Sequence, residues 1–224
     1  MALILHIDTA VQTASVCLAK DEKIISAVTN LHEKESASWL HTVIQGLLQT
    51  NSYTLKQLDA IAVTKGPGSY TGLRVGMAAA KGLCYALSKP LITINTLQMM
   101  AAAAPHSSAQ LLCPMIDARR MEVFAALYNS SLKEVMPSTN IILEVTSFEE
   151  WLEKYSINFF GNGSIKAMSV IQHRNATFIN INASAVNMVF LAAQKFEQRQ
   201  FSDIAYTEPF YGKAFHSSIS KKNY

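Results

Sequence analysis

Charge is scarce in this sequence. Only 16% of its 224 residues are Asp, Glu, Lys or Arg, against about 25% in an average soluble domain. The formal net charge is +3, which excludes the dense Lys/Arg stripe of a dedicated nucleic-acid binder. No stretch combines aromatic and basic residues into a local platform, so direct RNA contact is expected to be at most auxiliary. The three cysteines (Cys17, Cys84 and Cys113) form no Cys-x-x-Cys pair, which argues against a disulfide frame or a cysteine zinc site. The histidines form no His-x-x-x-His or His-Glu-x-x-His motif, so metal catalysis is not expected. His32 and His41 are too far apart for one helix face, His6 sits in an apolar run, and His106, His173 and His216 are scattered. No uninterrupted apolar run reaches about 18 residues, so no membrane-spanning helix is expected. The start, Met1 to Asp8, lacks a basic region ahead of its apolar run and does not read as a signal peptide. A cytoplasmic location is expected.

Apolar residues, by contrast, make up 50% of the chain. That is ample to offset chain entropy, and at this length folding buries roughly 70–75% of the extended-chain surface. An apolar, charge-poor surface suggests that another chain covers part of it. Periodicity predicts an α/β protein. Leu3 to Asp8 reads as a buried strand ending in an acid, and a hairpin follows around Asp21-Glu22. Trp39, Leu40, Val43, Ile44, Leu47 and Leu48 recur at helical spacing, predicting a helix over residues 35–49. A strand over 59–64 leads into a glycine-rich loop, a helix to about Leu87, a stop at Pro90 and a strand over 91–94. The pattern then restarts with a strand over 111–117, again ending in an acid, and a hairpin around Asn129-Ser130-Ser131. A helix over 146–154 capped by Thr146, a short strand over 158–160 and a last helix over 183–197 follow. Two small lobes are expected, 1–104 and 105–216, each a mixed sheet with flanking helices, with a mobile tail over 217–224.

Asp8-Thr9, where a strand opens into a hairpin, could hold a hydrated magnesium or meet a phosphate, or could simply cap a turn. Gly66-Pro67-Gly68-Ser69-Tyr70-Thr71-Gly72-Leu73-Arg74 is neither a Walker loop nor a dinucleotide fingerprint. Gly66 and Gly68 permit unusual backbone conformations, and Ser69 or Thr71 can cap the helix, whose free amides favour anions. The alternative is a tight strand-to-helix crossover. Asp117 and Arg119, with Arg120, could bind phosphate or form a local salt bridge. Along the helix after the loop, Gly72, Gly76 and Ala80 fall four apart, with Ala79 and Leu83 beside them. Glycine inside a helix costs about 1 kcal/mol relative to alanine, so another backbone is expected against this face, from inside the lobe or from a second chain.

Four stretches, Leu5 to Ala10 with Ser15-Val16, Gly66 to Gly76, Lys81-Gly82-Leu83 and Ile116 to Phe124, resemble the TsaB (YeaZ) family. Glu208-Pro209-Phe210-Tyr211 resembles that family's closing element. The resemblance implies an ASKHA fold, the two-lobed actin-like and RNase H-like architecture. It implies a non-catalytic role in forming N6-threonylcarbamoyladenosine in tRNA, as partner of the paralogous catalytic subunit TsaD and of the ATPase TsaE. On this reading ATP and a metal ion belong to the partners, and tRNA is met through the complex. The expected partner interface is Gly72, Gly76, Ala79, Ala80 and Leu83, which could also pair two copies of the free chain. Asp8, Thr9, Gly66, Gly68, Ser69, Asp117 and Arg119 are the candidate phosphate-loop residues, with no catalytic residue and no metal ligand assigned. Asp117-Ala118-Arg119-Arg120 stands where a nucleotide-hydrolysing relative would place a glycine-containing turn, and Gly161-Asn162-Gly163 is a weak adenosine-site candidate. The alternative is an independent ASKHA-type enzyme, a small kinase, ATPase or metallopeptidase.

Overall fold

The computed structural model describes residues 1–11, 13–30, 36–104 and 109–212. The expected lobe junction runs into residues 105–108, outside the described residues. The expected tail and His32, His106 and His216 also lie outside them.

The first sheet contains β1 (Leu3–Asp8), β2 (Ser15–Lys20), β3 (Lys23–Thr29), β4 (Ala60–Gly66) and β5 (Leu91–Asn95) in the order β3-β2-β1-β4-β5. β1 is buried along its whole length, paired antiparallel to β2 and parallel to β4. Its continuous apolar run is what a strand covered on both faces requires. The second sheet contains β6 (Leu111–Asp117), β7 (Glu122–Asn129), β8 (Glu134–Ile142), β9 (Ile157–Phe160) and β10 (Ala176–Phe178), in the order β10-β9-β6-β7-β8. Read from its other edge, that is the same order, with the same two antiparallel and two parallel pairings. The repeat seen in sequence is thus a repeat of topology.

Alternation along β1 divides the first core. Leu3, Leu5 and Ile7 face α1 (Ser36–Thr50) and α2 (Tyr70–Leu87), joined by Leu40, Ile44, Leu47 and Leu48 of α1. Each such side chain, fully buried, contributes about 1.5–3 kcal/mol. Ile4 faces the other way, into a core shared by both sheets, with α3 (Thr96–Ala102) and α6 (Val189–Glu197) packed between them. The outer face of the second sheet is covered by its own cluster, which includes Leu152 and Ala167. These come from α4 (Glu149–Leu152) and α5 (Ser164–Met168).

The chain after residue 183 returns to the first sheet. Ala185 N–H donates to Ser15 Oγ, Lys195 Nζ to the Thr93 carbonyl, and Ser202 bridges to Leu91. Phe210 N–H then donates to the Lys65 carbonyl at 2.6 Å.

Several local expectations are corrected. The helix expected over 146–154 is only the single turn of α4. Ser147 Oγ accepts the Glu144 N–H, and Phe148, left-handed at φ 65°, turns its ring into the core edge-on to Phe159. Thr146 therefore caps nothing. The last helix begins as a 3₁₀ turn, Ala185–Met188, before α6. The short elements α3, α5 and β10 carry too few residues to show a period.

Candidate functional site

β1 delivers Asp8 to its carboxyl end, and the side chain is fully buried there. Its Oδ1 accepts the Ala10 N–H at 3.0 Å and the Thr64 hydroxyl at 2.8 Å, while Oδ2 meets no partner. Burial pushes this carboxyl up to about 6, with the Ala10 and Thr64 hydrogen bonds pulling the other way. Neighbouring His6 is buried too, its Nδ1 3.2 Å from the Cys17 carbonyl, and burial lowers it to about 4.

The glycine-rich loop closes over this turn. Ser69 N–H donates to the Ala10 carbonyl at 2.8 Å, and the Thr9 hydroxyl donates to the Gly72 carbonyl at 2.6 Å. Side chains at Gly68 or Gly72 would overlap the Ala10 and Thr9 carbonyl oxygens. Gly66, at φ 117°, leaves room for the Phe210 backbone, which a Cβ would strike. Ser69 caps α2, its Oγ accepting the Gly72 N–H at 3.2 Å. Of the predicted phosphate-loop residues, Asp8, Thr9, Gly66, Gly68 and Ser69 do converge, and what fills the space above Thr9 and Ala10 is the chain's own backbone.

The residues of the expected interface face divide between two surroundings. Gly76 and Ala80 are buried, and a Cβ at Gly76 would overlap Thr9 Oγ1. Gly72 abuts the Thr9 carbonyl in the same way. Gly72 thus admits the backbone of its own lobe at Thr9, Gly76 the Thr9 and Val63 side chains, and Ala80 packs in the first-lobe core. Ala79, also buried, and half-buried Leu83 lie nearer α1. With His41, Val75, Ala78 and Gly82 they line a shallow, mostly apolar groove of about 420 Å³ between α1 and α2.

In the second lobe, Asp117 ends β6 as Asp8 ends β1, and makes the same turn. Its Oδ1 accepts the N–H two residues on, that of Arg119, at 2.7 Å. Here the carboxylate is exposed. Lys166 Nζ lies 2.7 Å from the same oxygen and also donates to the Arg120 carbonyl at 2.7 Å. Lys166 holds the Asp117 carboxyl below the usual range. Asn162, from the weak adenosine-site candidate, instead accepts the Asp117 N–H at 2.9 Å. Asp117 and Arg119 are thus built into a separate turn from Asp8. Lys166 was missed in the sequence because nothing local links it to Asp117 across 49 positions.

All three cysteines are free and buried, and burial raises the Cys17 and Cys84 thiols to about 12. Among the described residues no group of three or more His, Cys, Asp or Glu side chains could hold a metal ion. No described helix is long and apolar enough to cross a membrane.

Duplicated five-stranded mixed sheets with flanking helices, each first strand ending in an aspartate, define an ASKHA-class α/β protein. Residues 24–217 match the family described as TsaD, tRNA N6-adenosine threonylcarbamoyltransferase. The chain is 33% identical over 153 residues to the tRNA threonylcarbamoyladenosine biosynthesis protein TsaB of Bacillus subtilis, covering 67% of this chain and 64% of that protein. It is 36% identical over 126 residues to TsaB of Escherichia coli, covering 56% of this chain and 54% of that one. The matched stretch thus spans between about half and two thirds of these relatives' length. A Pseudomonas aeruginosa protein described as similar to the peptidase YeaZ superposes with a TM-score of 0.81 at 22% identity, over 95% of this chain and 100% of that one. YeaZ from the same organism gives 0.76 at 22% identity, over 94% and 100%. The chain belongs to the TsaD family and, within it, to the TsaB (YeaZ) branch.

Proposed function

We propose that this protein is a non-catalytic subunit in the formation of N6-threonylcarbamoyladenosine in tRNA, docking the catalytic subunit TsaD and supporting TsaE. The observation that carries this reading is the closure of the Asp8–Ala10 turn by the chain's own glycine-rich loop. A turn that receives a phosphate must keep its hydroxyl and N–H donors free for it. Here the Thr9 hydroxyl donates to the Gly72 carbonyl, the Ala10 N–H to Asp8 and the Ser69 N–H to the Ala10 carbonyl. The same closure weighs against an independent kinase or ATPase. ATP and a metal ion then belong to the partners.

The α1–α2 groove is the docking surface this reading favours. Its exposed floor of Ala78 and Gly82 lets another helix approach closely, and Val75 and Leu83 supply apolar flanks. A second copy could use the same patch in the free chain, since a two-fold pairing uses one surface twice. The test is reconstitution of the modification from TsaD, TsaE, tRNA and threonylcarbamoyl-adenylate, with and without this chain, read by nucleoside mass spectrometry. The modified nucleoside should need both TsaD and this chain. Its formation by this chain alone, or equal yield without it, would overturn the proposal.

A further inference from the structure

α2 has a second exposed side, adjoining the groove. At 100° per residue, Tyr70, Arg74, Lys81 and Tyr85 fall within about 60° of one another, and the groove positions begin about 20° further round, at Ala78, and continue toward α1. The segment ending at Tyr211 lies along this side. Arg74 Nε donates to the Tyr211 hydroxyl at 3.0 Å, and its guanidinium stands 4.1 Å above the Tyr70 ring. The Tyr70 and Tyr211 rings lie 4.9 Å apart. Further along, Lys81 Nζ grips the carbonyls of Ala205 and Thr207, at 3.3 and 3.0 Å, and so fixes Tyr206 between them. Tyr206 is 85% exposed and Tyr85 83%. The stripe runs about 22 Å at 1.5 Å per residue.

Its chemistry points one way. α2 contains Arg74 and Lys81 and no acid. The one ion pair among the described residues is Lys166–Asp117, so neither cation here is neutralised by a carboxylate of the described chain. On the facing segment Asp203 accepts the N–H groups of Ala205 and Tyr206, and both Asp203 and Glu208 are exposed. A cation beside exposed aromatic faces is what a single nucleic-acid strand with unstacked bases requires, whereas a duplex hides its base faces. Side chains distant in sequence thus assemble what no local stretch displays.

We propose that this stripe binds single-stranded RNA, Arg74 meeting a phosphate while Tyr206 and Tyr85 stack on bases, with Lys81 holding Tyr206 in place. That the RNA is a tRNA loop rests on the function proposed above. The probe is fluorescence anisotropy of a labelled single-stranded RNA oligonucleotide and of unmodified tRNA, titrated with the full chain across a salt series. A duplex RNA of equal length serves as control. Tyr206→Ala and Tyr85→Ala remove exposed rings and should weaken single-strand binding roughly five- to hundredfold each, with the salt slope unchanged. Arg74→Gln should lower the slope of log affinity against log salt by about 0.7. Tyr206→Phe should retain binding. No binding by wild type at low salt, equal affinity for the duplex, or no effect of either aromatic variant would overturn the proposal. So would loss of TsaD binding in those variants at unchanged RNA affinity, which makes the stripe a protein contact. RNA binding without any support of modification would sink the functional reading and leave this one standing. Support of modification without RNA binding would do the reverse.

Discussion

Gly76 and Gly82 lie in the same helix, and replacing each by alanine should move stability in opposite directions. At Gly82 an added Cβ meets nothing within 4 Å, so only helix propensity acts. That gain is about 1 kcal/mol, a rise in Tm of roughly 2–4 °C for a chain of this size. At Gly76 the same gain is opposed twice. The Cβ would overlap Thr9 Oγ1, and overpacking costs about 1–3 kcal/mol. Thr9 is buried, so swinging its hydroxyl off the Gly72 carbonyl leaves a buried polar group unpaired, about 1–3 kcal/mol more. The net loss centres near 3 kcal/mol, or a Tm lower by about 6–12 °C. Differential scanning calorimetry of both variants beside wild type reads this directly. Gly76→Ala melting at or above wild type would refute the internal packing of this face. Gly76→Ala that melts normally but no longer binds TsaD would return Gly76 to the interface.

Three further outcomes are expected. Ala78→Arg, at an exposed groove position, should leave Tm within about 1 °C of wild type and weaken TsaD binding tenfold or more by calorimetric titration, about 1.4 kcal/mol; unchanged affinity would move the docking surface elsewhere. Lys166→Gln removes the chief cause of the low Asp117 pKa, so that carboxyl should titrate closer to an ordinary aspartate by NMR, and no movement would refute the pairing. Asp8, raised to about 6, lends stability that is full below about 3.8 and lost as pH rises through 6. His6, lowered to about 4, lends stability that is lost as pH falls from about 6.5 toward 4, so in wild type the two nearly cancel. Asp8→Asn should therefore melt higher as pH rises from 4.5 to 6 and His6→Gln lower, each at up to about 1.4 kcal/mol per pH unit; the same slope in both variants would refute the assignment.

What could be read from the sequence followed from periodicity and punctuation. The apolar runs of β1 and β6, the 3.6-residue spacing in α1, the Ser69 cap and the stop before Pro90 all act within a few residues. Their elements stand where expected to within a residue or two. The Thr146 cap failed because a tertiary contact, Phe148 on Phe159, outweighed a local preference. The Gly72/Gly76/Ala80 face was legible as a close approach, but not its partner. Spacing reports that a backbone comes near, and both the chain's own Thr9 and a foreign helix satisfy it. Lys166 on Asp117 and Tyr211 on Arg74 had no local signal at all, since each joins residues brought together only by the finished fold.

The duplication shows how one turn takes two characters. Asp8 and Asp117 each end the first strand of a lobe, and each accepts the N–H two residues on. In the first lobe the next crossover carries glycines at 66, 68 and 72, so backbone descends onto the turn and buries the acid until its pKa climbs. In the second lobe Asn162, in the loop after β9, holds only the Asp117 N–H. Lys166 on α5 reaches the carboxylate from the side and leaves it in solvent, where the lysine's charge pulls its pKa down. Burial and a cation act on the same group with opposite sign. Whether the turn is sealed or open is therefore decided by the loop that follows the parallel strand. Opening the first turn would mean displacing α2, and both faces of that helix carry the surfaces proposed here.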